Sequence, residues 1–231
     1  MDPNLERKVM RWAAAVLTVL QIVLIVSCYI IAVRDGYLIS PKLYLSASFR
    51  RDPTRAIAGF ILPLTAISYG IILAARIYRI SVFVNKRSDE VLLWISIVAT
   101  CGAVVGMIGV AAVSLDLDKN IHWVAAAVLF FSAVVLMVCL TILDDRLNLK
   151  RPNWLRVVRI VISALAVLSI VMMGAATFFS YLVASIFEFL LAALLVSYIF
   201  SLVHDSSFPI LVAVKEPRSP RPSGRDTHDS L

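Results

Sequence analysis

The sequence predicts an all-α integral membrane protein, a six-transmembrane-helix bundle with both the N- and C-termini in the cytoplasm. Of its 231 residues, 61% are hydrophobic, whereas a soluble domain is about 45–50% apolar. Six apolar stretches reach the length of about 20 residues that a helix needs to cross a bilayer. Basic residues gather in alternate connections between these stretches. We predict spans near residues 12–33, 56–75, 91–113, 121–143, 157–179 and 182–203.

The first span is expected to stay in the protein as a signal anchor. It is too long for the apolar core of a signal peptide, and no small-residue cleavage site follows it. The connection from Arg34 to Arg55 is the only long one, whereas residues 114–120 and 180–181 form short connections. Spans three and four, and spans five and six, must therefore be antiparallel hairpins. We treat residues 12–203 as one transmembrane domain.

The third span carries Gly102, Gly106 and Gly109, which are spaced to form a smooth stripe on one helix face. Such a stripe lets another helix backbone approach closely. Packing within this bundle is the favoured interpretation, and a dedicated dimer interface is the alternative.

The distribution of positive charge orients the bundle. With the N-terminus in the cytoplasm, 16 of the 22 Lys and Arg residues fall in four cytoplasmic segments, at residues 1–11, 76–90, 144–159 and 204–231. This excess on one side follows the positive-inside rule. The net charge of +7 therefore reflects topology and attraction to anionic lipid. We expect membrane lipids as partners and no nucleic acid.

The last segment, residues 204–231, is rich in Pro, Ser and charged residues. Such a composition buries too little apolar surface to fold, so we predict a largely disordered cytoplasmic tail. Residues 1–11 form a short cytoplasmic N-terminus. The tail is a possible site for protein partners, and the sequence leaves the oligomeric state open.

No motif of a soluble enzyme is present in the sequence. It lacks a phosphate-binding glycine loop, a nucleophile elbow and a His-Glu-x-x-His pattern. The three cysteines fall inside predicted spans, and His204 and His228 lie on the cytoplasmic side. We therefore expect no metal site and no cofactor. Whether the protein is an enzyme is left open, and no catalytic residue is assigned.

Glu188 is the most informative single residue. It is the one charged side chain that lies well inside a long apolar stretch, where an ionised group costs roughly 2.5–3.5 kcal/mol on insertion scales. An intramembrane carboxyl group is a functional-site candidate by default. The alternative is a structural role, in which Glu188 is protonated or hydrogen-bonded to a neighbouring helix.

Five polar residues are predicted to lie at one membrane level, near the exoplasmic headgroups. Glu188 is about six residues into the last span and so roughly 9 Å below the surface, and Ser185 shares its helix face. Arg55, Asp116 and His122 come from the ends of three other spans. We predict that this set forms a lipid-headgroup site. Glu188 and His122 would act there as an acid–base pair or as a structural hydrogen bond.

Three segments resemble the Frag/DRAM/Sfk family of six-helix membrane proteins. The run from Tyr44 to Phe60 looks like the first-loop signature of that family. The stretch from Gly106 to Ser132 is similar to its third and fourth helices, and Ser185-Ile-Phe-Glu188 resembles the acidic motif of its last helix. The resemblance implies a six-helix fold with cytoplasmic termini, which agrees with the charge distribution.

The resemblance also implies a choice of functions. The family includes GPI-anchor remodelling factors, the N-terminal module of CWH-type cell-wall proteins, DRAM-type autophagy modulators and plasma-membrane proteins that affect phospholipid distribution. The residues of this sequence that match the motifs of the family are Arg55, His122 and Glu188. The first loop lacks the cysteine of the lysosomal members, which weakens an autophagy assignment.

We therefore expect a multi-pass protein that handles or senses a lipid at the exoplasmic leaflet, with a GPI glycolipid as one candidate. Arg55 would pair with the lipid phosphate, as guanidinium geometry favours. The alternative is a non-enzymatic scaffold that modulates autophagy or membrane trafficking through partners. A small channel or transporter is weaker, because one intramembrane acid provides little of an ion path. The expected location is an endomembrane (Golgi or lysosome) or the plasma membrane.

Overall fold

The computed structural model describes residues 3–36, 38, 44–147 and 152–202. Within these ranges the chain forms six long α-helices and no strand. The helices are α1 (Pro3–Arg34), α2 (Thr54–Ser81), α3 (Arg87–Ala112), α4 (Lys119–Arg146), α5 (Asn153–Ala176) and α6 (Tyr181–Ser201). A short 3-10 helix at Ser46–Phe49, called the 46–49 turn below, lies in the first connection.

All six predicted spans are confirmed as helices that are long and apolar enough to cross a membrane. Several helices continue past the predicted apolar core, and α2, predicted to end at residue 75, runs to Ser81. Continuing a helix keeps its backbone groups hydrogen-bonded where the membrane offers no water. The direction in which the bundle crosses the membrane stays a prediction. The predicted tail at 204–231 lies outside the described residues.

The helices pack mainly in chain order. Helix α3 lies between α2 and α4, α5 packs on α4 and α6, and α1 packs on α2 and α6, so that the first and last helices are neighbours. The end of the bundle formed by residues 44–53, 113–118 and 177–180 is called the loop end below. The opposite end, where α2 passes into α3 and where α4 and α6 finish, is called the terminal end.

Side-chain caps begin α4, which carries His122, and α6, which carries Ser185 and Glu188. The Oδ1 atom of Asp118 accepts hydrogen bonds from the backbone N–H groups of Asn120 (2.9 Å) and Ile121 (3.0 Å) at the start of α4. The hydroxyl of Ser180 accepts from the N–H of Val183 at the start of α6. Such caps satisfy donors that a helix start leaves unpaired. They fix the first turns of α4 and α6 at the loop end.

The glycine stripe of α3 packs against α4. A Cβ atom added at Gly106 would lie 2.5 Å from the backbone nitrogen of Leu129, and one added at Gly109 would lie 2.8 Å from the Cβ of Ala125. These distances leave no room for a side chain. The stripe therefore serves packing within the bundle, which was the favoured interpretation.

We expect Gly106→Ala to destabilise the protein by about 1–3 kcal/mol, because the added methyl group would push the α3 and α4 backbones apart. The matched control is Gly174→Ala in α5, where an added Cβ meets no atom within 4 Å. That change should be neutral or stabilise by about 0.5–1 kcal/mol, since alanine favours the helix. Thermal unfolding of the two purified variants in detergent checks this pair. Equal stability of the two would contradict the close packing.

A buried cluster of charged residues joins four helices near the terminal end. Asp144 on α4 accepts hydrogen bonds from Arg76 on α2 (2.7 Å) and from Arg159 on α5 (2.7 Å), and all three side chains are at most 2% exposed. The Nε of Arg159 also donates to the hydroxyl of Ser201 on α6 at 3.0 Å. The ring of Tyr198 lies 5.9 Å from the Arg159 guanidinium carbon. Because each partner comes from a different helix, the cluster fixes how α2, α4, α5 and α6 meet.

The sequence interpretation placed Arg76, Asp144 and Arg159 in cytoplasmic segments and regarded Glu188 as the one charge well inside an apolar stretch. The structure instead places all three inside helices and out of contact with solvent or lipid. The sequence contained evidence for this cluster, because Arg159 lies within the predicted span 157–179. Arg76 and Asp144 each directly follow a predicted span, at the same end of the bundle, and so could have been predicted to pair with it.

Candidate functional site

Glu188 connects the last helix to the first loop. Its side chain, only 5% exposed, extends from α6 to the start of the 46–49 turn. One carboxylate oxygen accepts the backbone N–H of Leu45 at 2.8 Å, and the other accepts that of Ser46 at 3.3 Å. Backbone N–H groups at a helix start need such acceptors. Glu188 is thus a cap supplied from a distant helix, a role that differs from hydrogen bonding between two helices.

His122 lies one turn into α4 and is buried, at 2% exposure. Its Nδ1 is 2.6 Å from the carbonyl oxygen of Val113. A carbonyl can only accept, so Nδ1 carries the proton, and in the neutral ring Nε2 is then an acceptor. Nε2 is buried and has no partner among the described residues. A buried polar atom in this state is unusual in proteins and indicates a place for a ligand or water.

A cavity of about 180 Å³ brings Glu188 and His122 together at the loop end. Its walls come from the first loop, α4, α5 and α6. The lining residues are Tyr44, Ser46, Leu115, His122, Trp123, Ala126, Ala127, Phe130, Met173, Gly174, Thr177 and Glu188. Glu188 also lines a smaller and deeper cavity of about 60 Å³, which includes Gln21 of α1 and several apolar side chains.

Tyr44 contributes a second polar atom without a partner. Its hydroxyl is buried and makes no hydrogen bond within the described part of the chain. The ring contacts Trp123 edge-on, with centroids 6.3 Å apart, and Tyr181 with centroids 6.5 Å apart. Burial, with the nearby Glu188 and Tyr181, raises the pKa of the Tyr44 phenol above its usual value of 10.0. Tyr44 therefore remains a neutral hydroxyl at physiological pH.

The structure brings two of the five predicted site residues, His122 and Glu188, to one cavity. No hydrogen bond joins His122 to Glu188 among the described residues. Arg55 is exposed on the first turn of α2 and does not line the cavity. Asp116 is exposed and forms an ion pair with Arg50 of the first loop. The hydroxyl of buried Ser185 donates to the carbonyl oxygen of Tyr181 at 2.8 Å in its own helix.

Tyr44 was absent from the predicted site. The sequence offered one reason to include it, since Tyr44 is the first residue of the first-loop segment that resembles the family. The order of side chains within a long loop does not show which of them turns inward. Only the contact between the 46–49 turn and Glu188 brings Tyr44 over the cavity.

The fold and the cavity define a multi-pass helical membrane protein with a small, mostly apolar cavity at one end of the bundle, lined by a few polar side chains. A family model described as the Frag1/DRAM/Sfk1/Cwh43P N-terminal domain matches residues 9–206, and the chain belongs to this family. Searches of curated proteins and of solved structures gave no match.

Proposed function

We propose that this protein handles or senses a membrane lipid by holding part of its headgroup in the cavity at the loop end. The observation that carries the proposal is that His122 and Tyr44, which both line this cavity, each hold a buried polar atom without a partner among the described residues, His122 Nε2 and the Tyr44 hydroxyl. Ligand sites are typically concave and mostly apolar, with a few convergent polar groups. The cavity at the loop end has this composition.

The position of the cavity mouth supports access from the lipid. Two lining residues, Trp123 on α4 and Gly174 on α5, are themselves exposed on the outside of the bundle. Tryptophan rings prefer the headgroup level of a membrane. With the orientation predicted from charge, this mouth opens towards the exoplasmic leaflet. A lipid would therefore enter from the side, between α4 and α5.

We propose binding as the function, with a GPI glycolipid among the lipids to be examined. The Ser46 hydroxyl and the Glu188 carboxylate both line the cavity and interact with each other, and this contact helps to hold the 46–49 turn against α6.

The test is to fill the mouth of the cavity. Gly174→Leu places a side chain where an added Cβ meets no atom within 4 Å, so the variant should fold. Val171→Leu, on the same helix and exposed at 61%, is the matched control outside the cavity. We expect a specific lipid to co-purify with the wild type and with Val171→Leu, and to be lost from Gly174→Leu. Mass spectrometry of the bound lipids measures this.

The proposal is overturned if the wild type carries no lipid above the detergent background, or if Gly174→Leu keeps the lipid. Either result would favour the scaffold alternative, in which the protein acts through partners. Deletion of residues 205–231 would then be expected to abolish function.

A further inference from the structure

We infer that the group held in the cavity at the loop end is a primary ammonium carried on a lipid headgroup. This inference rests on the proposed function and gives its ligand class. The first observation is the charge of the side chains that line the cavity. Among the described residues that line the cavity there is one carboxylate, Glu188, and no Lys or Arg. A phosphate inside the cavity would meet a negative charge and no lining cation, since Lys119, whose Nζ lies 5.7 Å from the Trp123 ring centroid, is not among the lining residues.

The state of Glu188 supports a cationic ligand. Both of its oxygens face backbone N–H groups, which can only donate, so both act as acceptors in the manner of an ionised carboxylate. Its partners, the two backbone amides and the Ser46 hydroxyl, are neutral, and it forms no ion pair with a described residue. A buried charge is tolerated when an opposite charge accompanies it. The cavity offers the place for that opposite charge.

The other polar atoms match the donors of an ammonium group. A primary ammonium has three N–H donors and no acceptor. Three residues that line the cavity carry acceptors, namely the Glu188 carboxylate, His122 Nε2 and the Tyr44 hydroxyl oxygen. The last two have no other partner in the described part of the chain. Tyr44 and Phe130 also line the cavity, and an aromatic face attracts a cation. The Trp123 ring already has a cation nearby, because Lys119 Nζ lies 5.7 Å from its centroid.

The size of the cavity agrees with a small group. At about 180 Å³ it is below the range of about 300–1,000 Å³ typical of pockets that take a drug-sized molecule. It therefore fits the amine end of a headgroup, and the rest of the lipid would remain outside the mouth. The same ammonium chemistry occurs on amine-bearing phospholipids, on amine-bearing glycolipids and on free amines such as phosphoethanolamine.

The first experiment measures the affinity of the purified full chain in nanodiscs for lipids that share acyl chains. The series runs from phosphatidylethanolamine through its mono- and dimethyl forms to phosphatidylcholine, with phosphatidylglycerol and phosphatidylinositol as amine-free lipids. Because each methyl group removes one N–H donor, we expect affinity to fall stepwise. The loss to phosphatidylcholine should be at least about tenfold, since hydrogen bonds between charged groups are the strong ones. Soluble phosphoethanolamine, added alone, shows whether the lipid tails are needed.

The second experiment uses variants that keep the fold. Tyr44→Phe removes only the hydroxyl without a partner, and His122→Asn keeps a donor near the position of Nδ1 while deleting Nε2. Each should weaken phosphatidylethanolamine binding about tenfold. Neither should change binding of phosphatidylglycerol. Ser185→Ala, whose hydroxyl is satisfied within its own helix, is the control and should bind as the wild type does.

Two results would overturn the ammonium inference. One is equal or tighter binding of phosphatidylcholine, phosphatidylglycerol or phosphatidylinositol, and the other is unchanged affinity in both folded variants. If an amine-free lipid co-purifies with the wild type and is lost from Gly174→Leu, this inference fails while the proposed function stands. If no lipid binds the wild type at all, both fail.

Discussion

Replacing Asp144 with Ala is expected to lower the free energy of unfolding by about 3–5 kcal/mol, the largest effect of any single change considered. Asp144 is the one carboxylate of the buried cluster and accepts a hydrogen bond from each of Arg76 and Arg159. Removing it leaves two guanidinium groups inside the bundle without this shared counter-charge. Breaking a buried ion pair on one side has this cost because the remaining charge stays desolvated.

The adjacent residue provides a matched control for this change. Asp145 pairs with Arg156 at the surface, where both side chains are at least 40% exposed. An exposed ion pair contributes only about 0–1 kcal/mol, so Asp145→Ala should leave the stability nearly unchanged. Reversible unfolding of both variants in mixed detergent micelles measures the difference. Similar stability of Asp144→Ala and the wild type would show that the cluster does not hold the helices together.

A triple variant separates the cost of an unpaired charge from the value of the cluster. Replacing Arg76, Asp144 and Arg159 together by apolar residues of similar volume removes every charge at once. Such replacements are often neutral or stabilising in other proteins. We therefore expect the triple variant to be more stable than Asp144→Ala. If it is less stable, the cluster contributes net stability of its own.

Replacing Glu188 with Gln is expected to cost about 1–3 kcal/mol and to release the first loop. A Gln side chain has one acceptor oxygen, whereas the native carboxylate uses two, one for each of the Leu45 and Ser46 N–H groups. Its NH₂ group would face one of those donors. A buried N–H that loses its acceptor costs free energy of this order. Because Leu45 and Phe49 are buried with the turn, its release would also expose apolar side chains.

Hydrogen–deuterium exchange of the segment around residues 44–50 measures this effect directly. We expect faster exchange there in Glu188→Gln and no change in Ser185→Ala, which alters a buried hydroxyl on the same helix. Unchanged exchange in Glu188→Gln would show that the turn does not depend on the carboxylate. Since Glu188 both caps the turn and lines the cavity, loss of stability in this variant does not argue against a role in lipid binding. The Tyr44→Phe and His122→Asn variants test lipid binding without changing the carboxylate that caps the 46–49 turn.

The helices could be predicted from sequence because the bilayer imposes one length and one composition on each span. The candidate site could be predicted only in part. Depth follows from position along a helix, which placed His122 and Glu188 at one level. Lateral position follows from helix rotation and packing, which the sequence does not state. Arg55, Asp116 and Ser185 were therefore included although none of them lines the cavity.

The buried charge cluster shows a second limit of prediction from sequence. An Arg near the end of an apolar stretch usually extends to the membrane surface, and Arg76 and Arg159 fit that pattern. Whether such a side chain turns outward or inward depends on a partner from another helix. Here Asp144 on α4 is that partner. An outward-turning Arg and an inward-turning Arg can lie at the same distance from the end of a span, so the sequence position does not distinguish them.

Helix α6 makes a polar contact with another part of the bundle near each of its ends. Glu188 holds the first loop near one membrane surface, and Ser201, thirteen residues further on, receives Arg159 near the other. The two points are about 20 Å apart along the axis. A rotation of α6 that withdrew Glu188 from Leu45 would also turn Ser201 away from Arg159. We therefore expect a displacement of α6 at one leaflet to alter its contacts at the opposite leaflet.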